Sequence, residues 1–346
     1  MIHLRIVAPR AHVDRALELL ERNDSVVNVV VLREAAVKPE GDVILCDVAR
    51  EDASIVLSDL RRLEIDRCGS ISVEHIDTQV SDASAAAERA ARGAPADAVV
   101  WEEVASRTSE ESTLSGAYLT FMVLATLIAS VGILLDSPIL IVGAMVVGPE
   151  FGPIAAFCVA LVQRRTRLAA RSFAALAIGF PVGITSAWLV TLALKAAGIT
   201  AGAFSAGAGH ALAQTIASPD FLSFFVAFCA GVAGMLSLTT AKSGALIGVL
   251  ISVTTIPAAA NVAVAFAYHD WSAWRGSMEQ LAVNVAAILL AGTATLLVQR
   301  GLYARRKRRH LAALAARGVE PQAPGVAAKP SSPATTTRRA SSAPGR

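Results

Sequence analysis

From Pro138 to Val162 the chain is apolar and long enough to cross a bilayer. Near its middle sits a carboxylate fenced by two Gly-Pro pairs, Gly148-Pro149-Glu150-Phe151-Gly152-Pro153. About 20 consecutive apolar residues read as a transmembrane helix, and a charge at its centre costs at least ~2.5–3.5 kcal/mol on insertion scales. Each proline lacks an N–H and collides with the preceding turn, so the sequence predicts a helix broken at Pro149 and Pro153. Irregular backbone at membrane depth is stable only where protein or a water-filled cavity surrounds it. The chain must therefore build other helices around this point.

The remaining sequence supplies them. The chain is 54% hydrophobic and 17% charged, and its charges crowd into residues 1–112 and 300–346. That separates a soluble front, a membrane middle and a tail. Six apolar spans are predicted, at Ala117–Leu135, Pro138–Val162, Leu168–Leu194, Phe221–Leu238, Gly244–Ala267 and Leu281–Val298. Basic clusters follow the second span (Arg164, Arg165, Arg167, Arg171) and the sixth (Arg300, Arg305–Arg309), whereas the loops 195–220 and 268–280 are poor in Lys and Arg. The positive-inside rule then places both termini in the cytoplasm. The start, Met1-Ile2-His3-Leu4-Arg5, shows no signal-peptide core. The expected location is the cell (inner, cytoplasmic) membrane, with the lipid bilayer as partner and a homo-oligomer as the assembly.

The front 78 residues alternate as short strands and amphipathic helices. Strands are predicted at 4–7, 26–32, 42–48 and 70–76, helices at 11–22 and 50–63, and a turn at Lys38-Pro39-Glu40-Gly41. This βαββαβ order is that of an α+β ferredoxin-like, ACT-like soluble domain. It lacks a metal-chaperone loop and exposed strand aromatics, which leaves a dimerising or ligand-sensing module. A helical linker, 79–116, carries an amphipathic piece, Asp97 to Arg107, fit for a membrane surface. Its Glu102-Glu103-x-x-x-Arg107 reads as i,i+4 pairing on a helix face. Residues 301–346 form a basic tail, Pro-, Ser- and Thr-rich from Glu320 onward. Cys46, Cys68, Cys158 and Cys229 are too scattered for a disulfide framework or a zinc site and read as buried thiols. No pattern for a metal, a cofactor or nucleic acid is seen, and no nucleophile–base arrangement points to an enzyme.

The membrane region, 117–300, also shows a soft internal repeat. Ser137-x-x-Leu140-Ile141-x-Gly143 follows Asp136, and Ser243-x-x-Leu246-Ile247-Gly248 follows Lys242. About a dozen residues on, each predicts a break: Gly148-Pro149-Glu150 in one, Thr254-Thr255-Ile256-Pro257 in the other. Two three-span halves, 117–194 and 221–300, would then have inverted topology with paired discontinuous helices, a pointer to a transporter's binding site. The candidate residues are Gly148, Pro149, Glu150, Gly152 and Pro153 in one half, and Thr254, Thr255, Pro257 and Asn261 in the other. Glu150 either caps the half-helix that follows or forms a cation or proton site. Asn261, four residues after Pro257, is placed to satisfy a carbonyl freed by the break. Asp136 and Lys242, at span ends, are secondary candidates that could simply snorkel. Gly179-x-x-x-Gly183 and Gly244-x-x-x-Gly248 predict close helix packing.

The stretch Leu127 to Ile154, with its D-S-P…G-A-M…G-P-E-F-G-P pattern, resembles the family called domain of unknown function 389, bacterial multi-span proteins of unassigned activity. The resemblance extends over about 110–300. It implies an integral membrane protein but no substrate. The commoner family form has Ala-Pro-Leu-Met where this chain has Gly148-Pro149-Glu150-Phe151, and Pro-Pro where it has Pro257-Ala258. The expected function is a secondary transporter or channel for a small solute or ion. That predicts a water-accessible cavity converging on 149–153 and 254–257. The alternative is a membrane sensor or scaffold, which predicts a formed pocket in the N-terminal domain.

Overall fold

The structure is a computed structural model that describes residues 1–91, 98–200, 211–240 and 247–316, with only the backbone described at 211–212, 247–254, 310–311 and 313–316. The chain divides into two compact units, Met1–Arg305 and Arg306–Arg346.

At the N-terminus, β1 (Ile2–Ala8) alternates strictly. Ile2, Leu4, Ile6 and Ala8 are buried, while the residues between them face outward. It is followed by α1 (Arg10–Glu21), β2 (Val26–Val37), β3 (Glu40–Val48), α2 (Arg50–Arg62), the short α3 (Ile65–Cys68) and β4 (Ser70–His75). The strands form one antiparallel sheet in the order β2-β3-β1-β4. Val13, Ala16 and Leu20 of α1 and Val56, Leu57 and Leu60 of α2 pack into one core with the inner sheet residues. The predicted turn lies between β2 and β3, but β2 runs five residues past its predicted end at Leu32. Two register shifts, with Asn28 and Glu34 at positive φ, let pairing with β3 resume at Val30 and again at Ala36, beyond the polar stretch.

One charged group is built into this sheet. Asp47 is buried and accepts from His3 Nδ1 (2.7 Å), Asn28 Nδ2 (2.7 Å) and Gln79 Nε2 (2.8 Å). Burial pushes its carboxyl up, but the hydrogen bonds from Asn28, His3 and Gln79 outweigh burial and hold it below the usual carboxylate range. A depressed acid contributes stability that is present above its unfolded value of about 3.9 and is lost as pH falls through the lower folded one. The sheet is therefore expected to loosen below about pH 4. Asp47→Asn should flatten that dependence, measured as hydrogen exchange of β1 amides against pH.

Beyond the sheet, α4 (Asp82–Ala90) starts on a Ser81 side-chain cap, and the part of the linker at 92–97 lies outside the described residues. The amphipathic α5 (Trp101–Glu111) is not left free for a membrane surface. Its Val104 packs with Ala155, Cys158, Val159, Val162, Met235 and Leu296, so its apolar stripe is covered by protein.

The apolar region comprises α6 (Gly116–Leu134), α7 (Pro138–Val147), α8 (Phe151–Gln163), α9 (Thr166–Ala196), α10 (Ala211–Ile216), α11 (Phe221–Thr239), α12 (Ile247–Ala267) and α13 (Trp271–Ala316). Among the described residues, four of these are long and apolar enough to cross a membrane: α6, α9, α11 and α13. The α7–α8 pair, bent by 52°, makes a fifth candidate span. The fifth predicted span, Gly244–Ala267, is represented by α12, of which Thr255–Ala267 counts as a shorter apolar helix; its predicted start, 244–246, lies outside the described residues. Large side chains such as Ile139 and Phe173 point outward, 82% and 62% exposed, which suits an apolar surrounding.

Helix α12 is the axis of the bundle. Every side chain from Thr255 to Ala265 is buried, as expected for a helix that is apolar all round. Its Ala258, Ala259 and Ala260 allow the neighbouring helices to close in. The predicted glycine pair on α9 acts similarly. A Cβ on Gly183 would lie 3.0 Å from Thr126, and one on Gly179 2.6 Å from the Tyr118 hydroxyl. Gly244 falls outside the described residues.

The break predicted at Thr254–Pro257 is not found: α12 runs through Pro257 as one helix. A proline inside a helix costs about 3 kcal/mol, and the packing of α12 on all sides holds the helix together regardless. Pro257→Ala is accordingly expected to raise thermal stability, by up to about 3 kcal/mol, read as the unfolding midpoint in detergent. A fall would show that the bundle needs the proline's geometry.

Candidate functional site

The break in the other half is present. Helix α7 ends at Val147, Gly148 is extended, and α8 starts at Phe151. Pro153 thus falls in the first turn of α8, where N–H groups lack intrahelical partners and a missing one is tolerated. Glu150 is the residue between the helices, with its carbonyl accepting the first bond of α8 from Ile154 N (3.1 Å).

Glu150 is fully buried, yet its side chain does not cap α8. It turns across the bundle, where Thr255 Oγ1 of α12 donates to Glu150 Oε1 at 2.7 Å. The predicted candidates of the two halves, Glu150 and Thr255, therefore meet, although Thr255 comes from an unbroken helix. The helices that carry them, α7, α8 and α12, share one apolar core, with Ile141, Ala144, Met145, Ile154 and Ala258 among its buried groups. Desolvation by these groups makes the Thr255 hydroxyl worth more here than in water.

Gly152 braces the break from the other side. A Cβ there would lie 2.7 Å from Glu111 Cβ and 2.9 Å from the Glu111 carbonyl oxygen. The end of α5 is thus seated directly against the first turn of α8, and the linker from the sheet reaches to within two residues of Glu150.

The other candidates are placed as follows. Asn261 is buried on α12, but serves no freed carbonyl of its own helix. Its Nδ2 donates to Ala213 O of α10 (3.0 Å) and to Ser277 Oγ of α13 (2.8 Å). Asp136 is exposed at positive φ in the α6–α7 turn, and so belongs to a helix end. Lys242 and the side chain of Thr254 lie outside the described residues. Cys46 and Cys158 are buried as expected, while Cys68 is half-buried and Cys229 is exposed on α11. Cys229 departs from the expectation because it lies on the outward face of an apolar helix. Glu103 and Arg107 form the expected i,i+4 pair at 2.8 Å.

Periodicity carried no sign of two clefts beside the sheet domain. One, about 580 Å³, lies between α2, α5, the end of α8 and the Arg300–Tyr303 turn of α13, with Arg61, Trp101, Glu102, Arg165, Arg300 and Tyr303 on its walls. The second, about 660 Å³, is lined by Leu57, Ile71, Val73, His75, Glu103 and Arg107. Above it the buried Arg50 donates through Nε to Ala98 O (3.0 Å) and reaches Glu103 at 3.7 Å. Burial and the adjacent Arg50 guanidinium push His75 below the usual histidine range. Arg50 opens α2 in a charged run, Arg50-Glu51-Asp52, so nothing in the sequence set it apart as buried.

The geometry of the break lies within a stretch that known sequences share. Residues 145–290 match the family model described as Domain of unknown function (DUF389). The DUF389 match begins in α7 and ends in α13, so it takes in the break, Thr255 and Asn261 and leaves out the sheet. The chain is also 25% identical over 205 residues to the uncharacterized protein MJ0678 of Methanocaldococcus jannaschii. That similarity covers 56% of this chain and 58% of the relative, so the chain spans little more than half the length of the curated relative it matches. No solved structure matches the chain.

Proposed function

We propose that this chain is a cell-membrane protein that moves a small solute or ion through its helix bundle, with the Glu150–Thr255 pair as the point the permeant must pass. The observation that carries the reading is a buried carboxylate at a helix break, spent across the bundle and not on its own helix. Ionisable residues at such depth default to functional sites. Ten residues of α7 carry the chain about 15 Å from the α6–α7 turn to the break. From Ala267 back to Thr255 along α12 is about 18 Å. Both distances fit a position near the middle of a hydrocarbon core about 30 Å thick.

The two ends of the bundle support an orientation. Trp188, Phe266, Trp271 and Trp274 cluster at one end, with ring centroids 5.5–6.4 Å apart, as an interfacial aromatic belt would. Arg165, Arg167, Arg300 and Arg305 gather at the other, which fits six crossings with both termini cytoplasmic. The sheet order supports the ferredoxin-like reading of the cytoplasmic domain. The transport reading rests on one broken helix and not on a symmetric pair.

Solute and ion flux in proteoliposomes tests it. Glu150→Gln is expected to change flux at least tenfold; unchanged flux would reduce Glu150 to a structural group. A second reading has its own support: Glu150 is closed off from solvent, and the two open clefts lie beside the sheet domain. On that reading the domain senses a small ligand and the helices are its anchor. Absence of flux for every cation, anion and metabolite tested would favour it.

A further inference from the structure

About 9 Å along α12 from Thr255, on the side towards the aromatic belt, lies a second polar group that the break does not involve. Ser277, Gln280 and Asn284 recur at i, i+3 and i+7, so they share one face of α13. All three are buried, as is Asn261 on α12. Asn261 Nδ2 donates to Ser277 Oγ at 2.8 Å, and Gln280 Nε2 donates to Asn284 Oδ1 at 3.0 Å. The amide oxygen of Gln280 is different: it is buried and accepts no hydrogen bond among the described residues.

A buried acceptor left without a donor costs about 1–3 kcal/mol. In native proteins such a group calls for an explanation, often a water or an ion. The surroundings narrow the choice. The side-chain oxygens on this buried face, those of Ser277, Gln280 and Asn284, are neutral. No arginine or lysine occurs between Thr255 and Ala267 on α12 or between Ser277 and Val298 on α13, so an anion would find no counter-charge. The only carboxylate in those two stretches, Glu279, is exposed and points away from the buried face. A divalent cation would therefore lack the charged ligands it requires. Neutral side-chain and carbonyl oxygens inside a bundle are the ligand set of dehydrated monovalent cations.

We infer that Asn261, Ser277, Gln280 and Asn284 build a charge-free site for a monovalent alkali cation, with the Gln280 amide oxygen as its uncommitted ligand. Asn261 holds Ser277 in place and ties the site to α10 through Ala213. The site lies between the aromatic belt and Glu150. If the transport reading holds, it is the station a cation occupies before meeting the carboxylate. As a binding site it stands without that reading.

The test is thermal unfolding of the purified full chain in detergent, with choline chloride replaced stepwise by sodium or potassium chloride at constant ionic strength. The expected result is a saturable rise in midpoint with one of the two cations. Gln280→Leu should abolish it. Gln280→Glu, which retains an oxygen and adds a charge, should saturate at a cation concentration at least tenfold lower. Glu150→Gln should leave the shift in place. The inference is overturned if neither cation shifts the wild type relative to choline, which would leave a buried water as the occupant. It is equally overturned if both Gln280 variants respond like the wild type, or if Glu150→Gln alone removes the response and so assigns the cation to the carboxylate. Loss of the shift in Gln280→Leu, with no flux from wild-type proteoliposomes, would sustain the binding site while rejecting the transport reading.

Discussion

Thr255→Val should destabilise the bundle more than the double replacement Glu150→Leu/Thr255→Val. The single change removes the hydroxyl that donates to Glu150 at 2.7 Å and leaves the buried carboxylate short of a partner, at a cost of about 1–3 kcal/mol. Valine has nearly the same shape as threonine, so little of this loss would come from packing. The double variant removes donor and acceptor together, and replacing both partners by apolar groups can be nearly neutral. Unfolding midpoints of the four proteins in one detergent close the cycle. Additive losses would mean that the two side chains are not energetically coupled, and the site would reduce to two independent core residues.

Gly152→Val is expected to lift α5 from α8. The first added carbon would already fall 2.7–2.9 Å from Glu111 backbone and side-chain atoms, and backbone at that distance has little room to give. The chain can relieve the clash by moving the break, and Glu150 with it, or by releasing α5. Release is the smaller rearrangement, because α5 is a short helix held through few apolar side chains, chiefly Val104. Its amide protection should fall by about two orders of magnitude while that of α12 is retained. Hydrogen exchange resolved by peptide reads both helices at once. Unchanged protection of α5 would show that the helix is held elsewhere, through Trp101 and Ser54.

The break was readable because Gly148, Pro149 and Pro153 act locally: they remove donors and free the backbone where they stand. The sheet was readable for a related reason, since Ile2, Leu4 and Ile6 alternate with outward residues on one strand. Length was harder. Arg33, Glu34 and Ala35 look like the end of a strand; they have no β3 partners themselves, and pairing on either side, Leu32 with Val43 and Ala36 with Gly41, keeps them in one. Pro257 misled in the opposite direction. Its local preference for a break was real, and the packing of α12 on all sides overrode it. A helix that is apolar all round has no preferred face, so nothing in its periodicity could say that Thr255 would turn towards Glu150. For α5 the buried stripe was visible but not what would cover it, and the polar row on α13 lies at the edge of a run that reads as uniformly apolar.

Helix α13 has one consequence that concerns mechanics. It runs unbroken from Trp271 past Tyr303, about 48 Å at 1.5 Å per residue. The Tyr303 hydroxyl meets the Ser54 carbonyl at 3.4 Å and its ring meets Trp101 edge-on at 6.5 Å. A stiff rod of this length is a lever. A tilt of about 10° pivoting near Ser277 would swing the Tyr303 end by roughly 7 Å, more than the hold on Ser54 could follow. Any such tilt would therefore have to part Tyr303 from Ser54 and Trp101, so the angle of α13 and the seating of the sheet domain cannot change independently.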